Sequence, residues 1–159
     1  MNQVKFIQKN LNEAIPCQGI TVRTNNAKEM TAGQENSTAK IGSLWQAFQN
    51  QFGKNINEKT QVYGVYHNYE NDVHGDFDVT ACFAVNKKDL TSELPTITIP
   101  TGEYLVFSKQ GSMPQAVIEA WNEVWHYFEH ANCQHSRKYD VDFEKYVSSN
   151  TIEVYIGIN

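Results

Sequence analysis

Apolar residues recur at helical spacing in two segments of the chain. The first stripe occupies positions i, i+3, i+4, i+7 and i+11 and predicts an amphipathic helix that ends at Gly53. It consists of Ile41, Leu44, Trp45, Phe48 and Phe52. A second helix is predicted from about Pro114 to His130. Its stripe consists of Val117, Ala120, Trp121, Val124 and Phe128. Asn36 or Ser37 is the expected cap of the first helix, and Ser112 that of the second.

Alternation of apolar and polar residues predicts strands between and after these helices. One hairpin is expected from strands at 61–69 and 76–85, and a closing hairpin from 141–147 and 151–158. Shorter extended stretches are expected at 4–7 and 18–23 and in two pieces within 94–107, with a loop at 24–38. The order of strand, helix and two strands therefore occurs twice. It predicts one α+β domain over 1–159, a duplication of a β-α-β-β unit, with antiparallel strands and part of one sheet face left free for a cavity. The two halves are expected at about 1–88 and 89–159.

The closing hairpin carries the most informative pattern. On its first strand Val141, Phe143 and Val147 share a face, and Asp142, Glu144 and Tyr146 share the other. On its second strand one face is aliphatic, and Glu153 and Tyr155 lie on the opposite one. The aliphatic residues are Ile152, Val154, Ile156 and Ile158. The predicted second face of the hairpin thus combines carboxylates with tyrosines.

Two interpretations of that face remain open on the residues alone. It is either a solvated surface, or an aromatic cage around a carboxylate. A carboxylate removed from water costs several kcal/mol unless it is paired, so its pKa rises or it recruits a cation. Each Tyr or Trp face adds roughly 0.5–2 kcal/mol for a cation held within about 6 Å. The cage would therefore favour a lipophilic cation, with a carboxylate of this face as its charge partner.

Five ordered motifs resemble one protein family and together cover nearly the whole chain. The chain is similar in these motifs to the GyrI-like bacterial effector-binding domains, in particular to their stand-alone, integron-cassette-associated branch. The motifs are IGSLWQAF at 41–48, YGVYHNYEND at 63–72 followed by Gly75, GEYLVF at 102–107, the helix with Trp121, and DFEKY at 142–146 closed by EVYIGI at 153–158.

The resemblance implies a pseudo-symmetric pair of β-α-β-β units around a central groove that binds amphipathic, often cationic, drugs. Related domains form the C-terminus of AraC- and MerR-type transcription regulators. The motif match assigns the cation contact to Glu144, and it assigns aromatic walls to Trp45, Tyr66, Trp121 and Tyr146. Glu153, expected on the adjacent strand and the same face, is the reserve carboxylate. Some relatives hydrolyse strained small molecules with a comparable Glu. The alternative function is therefore a hydrolase in which Glu144 is the general base and Tyr146 or Tyr66 a hydrogen-bond donor.

The sequence departs from the regulators because it leaves no room for a helix-turn-helix module before Gln18. No DNA-binding module is expected, so any role in transcription would need a regulator protein as partner. A second copy of the chain is the other partner considered. A third hypothesis is that the protein is an interaction module that accepts a peptide in its groove, and it rests on analogy alone.

Composition excludes several classes of function. Thirteen Lys and Arg against eighteen Asp and Glu give a net charge of −5, which disfavours direct nucleic-acid binding. No apolar run approaches the roughly 20 residues that cross a bilayer, and the first residues are too polar for a signal peptide. Three widely spaced cysteines fit reduced thiols. These features predict a cytoplasmic protein without a membrane partner.

Two further patterns in the sequence are candidates for metal sites. His126 to His130 matches H-x-x-E-H, and Cys133 or His135 would complete a zinc site, but Phe128 between them belongs to the predicted core stripe. Acidic residues at 72, 76 and 78 lack the spacing of a calcium loop. No glycine-rich phosphate-binding motif occurs. The sequence therefore predicts neither a metal nor a cofactor.

Overall fold

The structure, a computed structural model, describes residues 5–86 and 94–159, which form eight strands and three α-helices. The strands are β1 (Ile7–Leu11), β2 (Ile15–Thr24), β3 (Val62–His67), β4 (Phe77–Ala84), β5 (Thr96–Ile99), β6 (Gly102–Gln110), β7 (Arg137–Ser148) and β8 (Thr151–Ile158). The helices are α1 (Asn26–Glu29), α2 (Ile41–Phe52) and α3 (Gln115–Glu129), and a 3₁₀ turn at Gly53–Asn55 follows α2. Both predicted helices and both predicted hairpins are confirmed.

All eight strands form one antiparallel sheet in the order β1-β6-β8-β7-β3-β4-β2-β5. The α+β class is therefore confirmed. The central strands are β3 and β7, the second strands of the two predicted units. Outward from them, each side continues with the third strand of its unit (β4 or β8) and then with the first (β2 or β6). That symmetry of order is what a duplication would produce, and the duplication itself stays a prediction. The expected boundary between the halves, at 88 and 89, lies outside the described residues.

The two long helices cover one face of the sheet. Leu44, Phe48 and Phe52 of α2 and Ala120 and Val124 of α3 are buried in a core that includes the aliphatic face of β8. The sheet curls, so its other face packs on itself around a second core. That core contains Cys17, Tyr63, Val65, Cys82, Ile99, Tyr104, Val106, Phe143 and Tyr155. Between the helices, the helix-bearing face of β3 and β7 positions the candidate site.

The predicted helix caps are wrong, and the tertiary structure explains why. Helix α2 begins at Ile41, and no side chain of its own segment caps it. The Glu29 carboxylate, presented by α1 within the predicted loop, accepts the backbone N–H groups of Lys40 at 2.9 Å and Ile41 at 3.1 Å. No side chain caps α3 either, and Ser112 contributes only its backbone carbonyl, which accepts the N–H of Ala116. A partner from a preceding helix thus replaces the local cap of α2, whereas α3 begins without a side-chain cap.

Smaller differences concern the ends of strands. The stretch predicted at 18–23 is part of β2. The one predicted at 4–7 shares only Ile7 with β1, which runs on to Leu11, and Val4 lies outside the described residues. β7 begins at Arg137, four residues before its predicted start, and its pairing with β8 is irregular before Asp142. None of the helices described is long and apolar enough to cross a membrane. The three cysteines are free thiols.

Candidate functional site

The Glu144 carboxyl group lies in the interior, and only 2% of the residue is exposed. Strand β7 is central, and Glu144 pairs with Gly64 of β3 on one side and Val154 of β8 on the other. Residues directly opposite one another in an antiparallel pair point to the same face. Glu144 therefore points to the helix-bearing face, between α2 and α3. The sequence-based expectation of a sheltered carboxylate at this position is met by its burial.

Three side-chain donors hold the carboxylate. The Tyr66 hydroxyl donates to Oε2 at 2.9 Å, and the Trp121 indole N–H donates to the same oxygen at 2.6 Å. The Tyr146 hydroxyl donates to Oε1 at 2.9 Å. Hydrogen bonds to an ionised acceptor are stronger than those between neutral groups. The three donors therefore stabilise the ionised form in a place where water is excluded.

Two aromatic pairs enclose these hydrogen bonds. Tyr66 and Trp121 have ring centroids 4.9 Å apart, and Trp45 and Tyr146 have centroids 5.1 Å apart. The structure thus brings together five of the residues selected from the sequence, from α2, β3, α3 and β7. Tyr66 and Trp121 are buried, whereas Trp45 and Tyr146 are only half-buried. The Oε1 side of the carboxylate is therefore the side nearer to solvent.

Gly64 makes room for the carboxylate, and sequence reasoning treated it only as part of a motif. A Cβ at this position would lie 2.6 Å from Glu144 Oε1 and 3.1 Å from Trp45 Cζ2. Both distances are shorter than ordinary contacts, so a side chain here would displace either the carboxylate or the indole. The signal available in the sequence was a glycine inside a strand pattern, which often marks a close approach of other groups.

Burial perturbs the ionisation of the whole group. Desolvation raises the pKa of Glu144 above its usual value, and the hydrogen bonds from Trp121, Tyr146 and Tyr66 oppose that rise only in part. Burial and the neighbouring carboxylate raise the pKa of Tyr66 and of Tyr146 well above the ordinary tyrosine value. Both tyrosines therefore stay protonated near neutral pH and keep their donor role.

A second buried carboxylate lies two residues away on the same strand face and has different partners. Asp142 is fully buried, and its Oδ2 receives a hydrogen bond from the Arg137 guanidinium at 2.7 Å and another from the Tyr69 hydroxyl. Its Oδ1 accepts the backbone N–H of Gly157 at 2.8 Å. Among the described residues, Glu144 has no such cationic partner in an ion pair. Asp142 is thus neutralised internally, and Glu144 is not.

The prediction that Glu153 and Tyr155 share a face with Glu144 is wrong. Glu153 pairs with Lys145, and Tyr155 pairs with Phe143, so both point to the side opposite the helices. Tyr155 stacks on Phe143 at 4.4 Å in the second core. The register is set by the turn after Tyr146, where the pairing is irregular. Because the side-chain period is two, a one-residue difference in register exchanges the faces.

The H-x-x-E-H segment does not gather a metal-ligand set. His126 and His130 have rings 5.5 Å apart on the exposed side of α3. Within 5–86 and 94–159, no group of three or more His, Cys, Asp or Glu side chains lies close enough together to hold a metal ion.

Comparison with known proteins identifies the family to which this arrangement belongs. Residues 13–158 match the sequence profile of Cass2, described as integron-associated effector binding protein. The chain belongs to this family. Membership of an effector-binding family supports a small-molecule binding role for this chain. The family resemblance that the motifs indicated is confirmed.

Solved structures share the fold over almost the full chain. A family relative, an integron cassette protein from the mobile metagenome of Vibrio cholerae, is 42% identical, with a TM-score of 0.86 over 97% of this chain and 95% of that one. SAV2435 bound to tetraphenylphosphonium is 19% identical, with a TM-score of 0.71 over 98% and 94%. The C-terminal domain of EcmrR is 13% identical, with a TM-score of 0.60 over 98% and 97%. No curated protein matches the sequence.

Proposed function

We propose that the effector of this protein is a cationic, amphipathic small molecule whose positive charge is matched by Glu144. The observation that carries the proposal is a buried carboxylate with no cationic partner among the described side chains, enclosed by four aromatic rings. An unpaired buried charge is costly, and an opposite charge brought close recovers part of that cost. A cation that enters the aromatic cage therefore gains more than a neutral molecule of the same shape.

The aromatic walls add to the selectivity for charge. The faces of Trp45, Tyr66, Trp121 and Tyr146 present negative π-density to a cation, each worth about 0.5–2 kcal/mol when the cation is within about 6 Å. Apolar burial contributes roughly 25 cal/mol per Å² for cationic and neutral ligands alike. Affinity thus depends on the apolar groups, and discrimination between charged and neutral ligands depends on Glu144.

Access to the carboxylate is expected from the Oε1 side. Trp45 and Tyr146 are half-buried, and Tyr146 supplies the single hydrogen bond to that oxygen. Rotation of these two side chains would exchange one hydroxyl donor for the cation and leave the Tyr66 and Trp121 bonds to Oε2 in place. The fold shared with SAV2435, which was solved with tetraphenylphosphonium, supports a lipophilic cation as the first ligand to test.

The hydrolase alternative receives less support from this geometry. A general base needs a free lone pair directed at the proton that it removes. Three of the roughly four lone pairs of the Glu144 carboxylate already accept hydrogen bonds from donors that remain protonated, which leaves about one, on Oε1, for such a role. A regulator protein or a second copy of the chain as partner stays a prediction from the resemblance.

The test is titration of the protein with tetraphenylphosphonium and with triphenylphosphine oxide, which is similar in shape but neutral. Glu144→Gln is expected to weaken binding of the cation by about 10- to 100-fold, which corresponds to about 1.4–2.7 kcal/mol, and to leave the neutral ligand within about twofold. Glu153→Gln is the matched control, because that carboxylate lies on the opposite face of the adjacent strand. It should change neither affinity.

Equal binding of tetraphenylphosphonium by Glu144→Gln and by the wild type would contradict the proposal. So would an equal loss of both ligands, since that result would indicate a collapsed cage rather than a lost charge. Circular dichroism of both variants checks that the fold is retained.

A further inference from the structure

A cavity in the described part of the protein lies apart from Glu144. It has a volume of about 470 Å³ and lies between α1, the connection from β3 to β4, the C-terminal half of α3 and the start of β7. Its wall includes the rings of Trp125, Phe128 and Tyr139 and the side chain of Met30. A volume of this size and mainly apolar walls are typical of small-molecule sites. Neither Glu144 nor any residue that donates to it lines this cavity.

One residue of the cavity wall carries a buried polar atom that lacks a partner among the residues described. Arg137 lines the cavity, and its side chain is only 6% exposed. One terminal nitrogen is engaged with Asp142, and the guanidinium carbon lies 4.5 Å from the Tyr139 ring centroid. Its Nε–H has no acceptor among residues 5–86 and 94–159. A buried donor without a partner costs about 1–3 kcal/mol, so an acceptor brought to it by a ligand is favoured.

The charges around the cavity indicate which acceptor would fit. The positive charge of Arg137 is already matched by the fully buried Asp142. A further carboxylate, that of Glu129, lines the cavity. An anion placed at Nε would therefore meet a neutral ion pair and a nearby negative charge, whereas a neutral carbonyl oxygen would accept the bond without that repulsion. Flat walls from three aromatic residues favour a planar ligand.

We propose that this cavity is a second binding site, which takes a neutral, planar aromatic molecule whose carbonyl oxygen accepts a hydrogen bond from Arg137 Nε. The site differs from the Glu144 cage in position and in the charge of its ligand. It does not depend on the proposed binding of a cation. A protein with both sites would recognise two chemically different molecules, or two parts of one.

The test compares 9-fluorenone with fluorene, which has the same tricyclic frame and no carbonyl group. We expect fluorenone to bind about tenfold more tightly, the effect of one hydrogen bond from a charged donor. We also expect it to shift the ¹⁵Nε–¹Hε resonance of Arg137, which fluorene leaves in place. Fluorenone-4-carboxylate should bind more weakly than fluorenone. Glu144→Gln should retain fluorenone binding, so failure of the cation proposal and failure of this one are distinguishable.

Two variants examine the same site from different directions. Arg137→Lys keeps a positive charge for Asp142 but removes the Nε donor, and it should make the affinities for fluorenone and fluorene equal. If that variant does not fold, Ala27→Phe fills the cavity from α1 and should reduce fluorenone binding by at least tenfold. Ala47→Phe, on the exposed side of α2, is its control.

Three results would overturn the proposal: equal affinity of the wild type for fluorenone and fluorene, tighter binding of the carboxylate, or an unshifted Arg137 resonance at saturating fluorenone. Absence of binding up to the solubility limit of fluorenone would overturn it as well.

Discussion

Two carboxyl groups lie two residues apart on the same face of β7, and their partners give them different chemistry. Asp142 is matched by the Arg137 guanidinium and is held by Tyr69 and by the backbone of Gly157. Glu144 receives three neutral donors, and none of the described ion pairs includes it. The first acid is therefore matched within the protein, and the ionised form of the second has no cationic partner among the residues described.

The raised pKa of Glu144 predicts how the stability of the protein depends on pH. In the window from the ordinary glutamate value of 4.5 upward to the raised value, the folded protein holds a proton that the unfolded chain has released. The free energy of unfolding contributed by Glu144 should therefore fall as pH rises through this window. The measurement is the difference in unfolding free energy between wild type and Glu144→Gln, from urea titrations at a series of pH values.

As pH increases through the window, the unfolding free energy of the wild type should fall relative to that of Glu144→Gln. Above the window the difference should stay constant. A difference that moves in favour of the wild type as pH increases would mean that the donors outweigh desolvation. At saturating tetraphenylphosphonium the upper end of this window should move to lower pH, because the bound cation favours the ionised carboxyl group of the folded protein.

At the level of elements, the site depends on how β3 and β7 are paired. Gly64 lies directly opposite Glu144, and the missing side chain on β3 is the space into which the carboxyl group of β7 fits. The α2 helix adds Trp45 above the same position. The Glu29 cap from α1 fixes the first turn of that helix. Strand register and helix placement thus determine the cage together.

Gly64→Ala should disturb the cage while leaving the fold intact. A methyl group 2.6 Å from Oε1 forces the carboxylate or Trp45 to move, which is expected to cost about 1–3 kcal/mol of stability and about tenfold in affinity for tetraphenylphosphonium. Thermal unfolding and titration measure the two effects.

Gly42→Ala is the matched control for that substitution. Gly42 lies in the first turn of α2 with open space around its Cα, so alanine there should raise stability by about 0.5–1 kcal/mol and leave ligand affinity unchanged. A Gly64→Ala protein that binds as tightly as this control would show that the carboxylate does not need the space.

At the scale of the whole molecule, one sheet connects the two predicted halves. Its central ladder pairs β3 of the first half with β7 of the second, and one core extends under both long helices. The cage takes Trp45 and Tyr66 from the first half and Trp121, Glu144 and Tyr146 from the second. Neither half contains the site alone.

We therefore expect the protein to unfold in a single cooperative transition, with equal calorimetric and van't Hoff enthalpies. Tetraphenylphosphonium at 100 times its dissociation constant should stabilise the whole transition by about 2.7 kcal/mol. Differential scanning calorimetry with and without the ligand makes both measurements. Two resolved transitions, of which the ligand shifts only one, would contradict this description.

The local pattern of the sequence was sufficient for the helices, the hairpins and the α+β class, because helical and strand periodicity are properties of neighbouring residues. The motifs, through their family resemblance, also selected the five side chains that meet in the cage. The faces of the closing hairpin were correctly divided within each strand. They were wrongly matched between strands, since Glu153 was assigned to the side of Glu144.

Only the tertiary structure decided the register of β7 against its neighbours, the pairing of Asp142 with Arg137, the space left by Gly64 and the capping of α2 by Glu29. Each of these depends on contacts between residues far apart in the chain or on a turn whose irregularity shifts the pairing by one position. A shift of one residue reverses the face to which a side chain points. Sequence periodicity therefore determined which residues of each strand share a face, and strand pairing determined which faces are buried together and which residues meet.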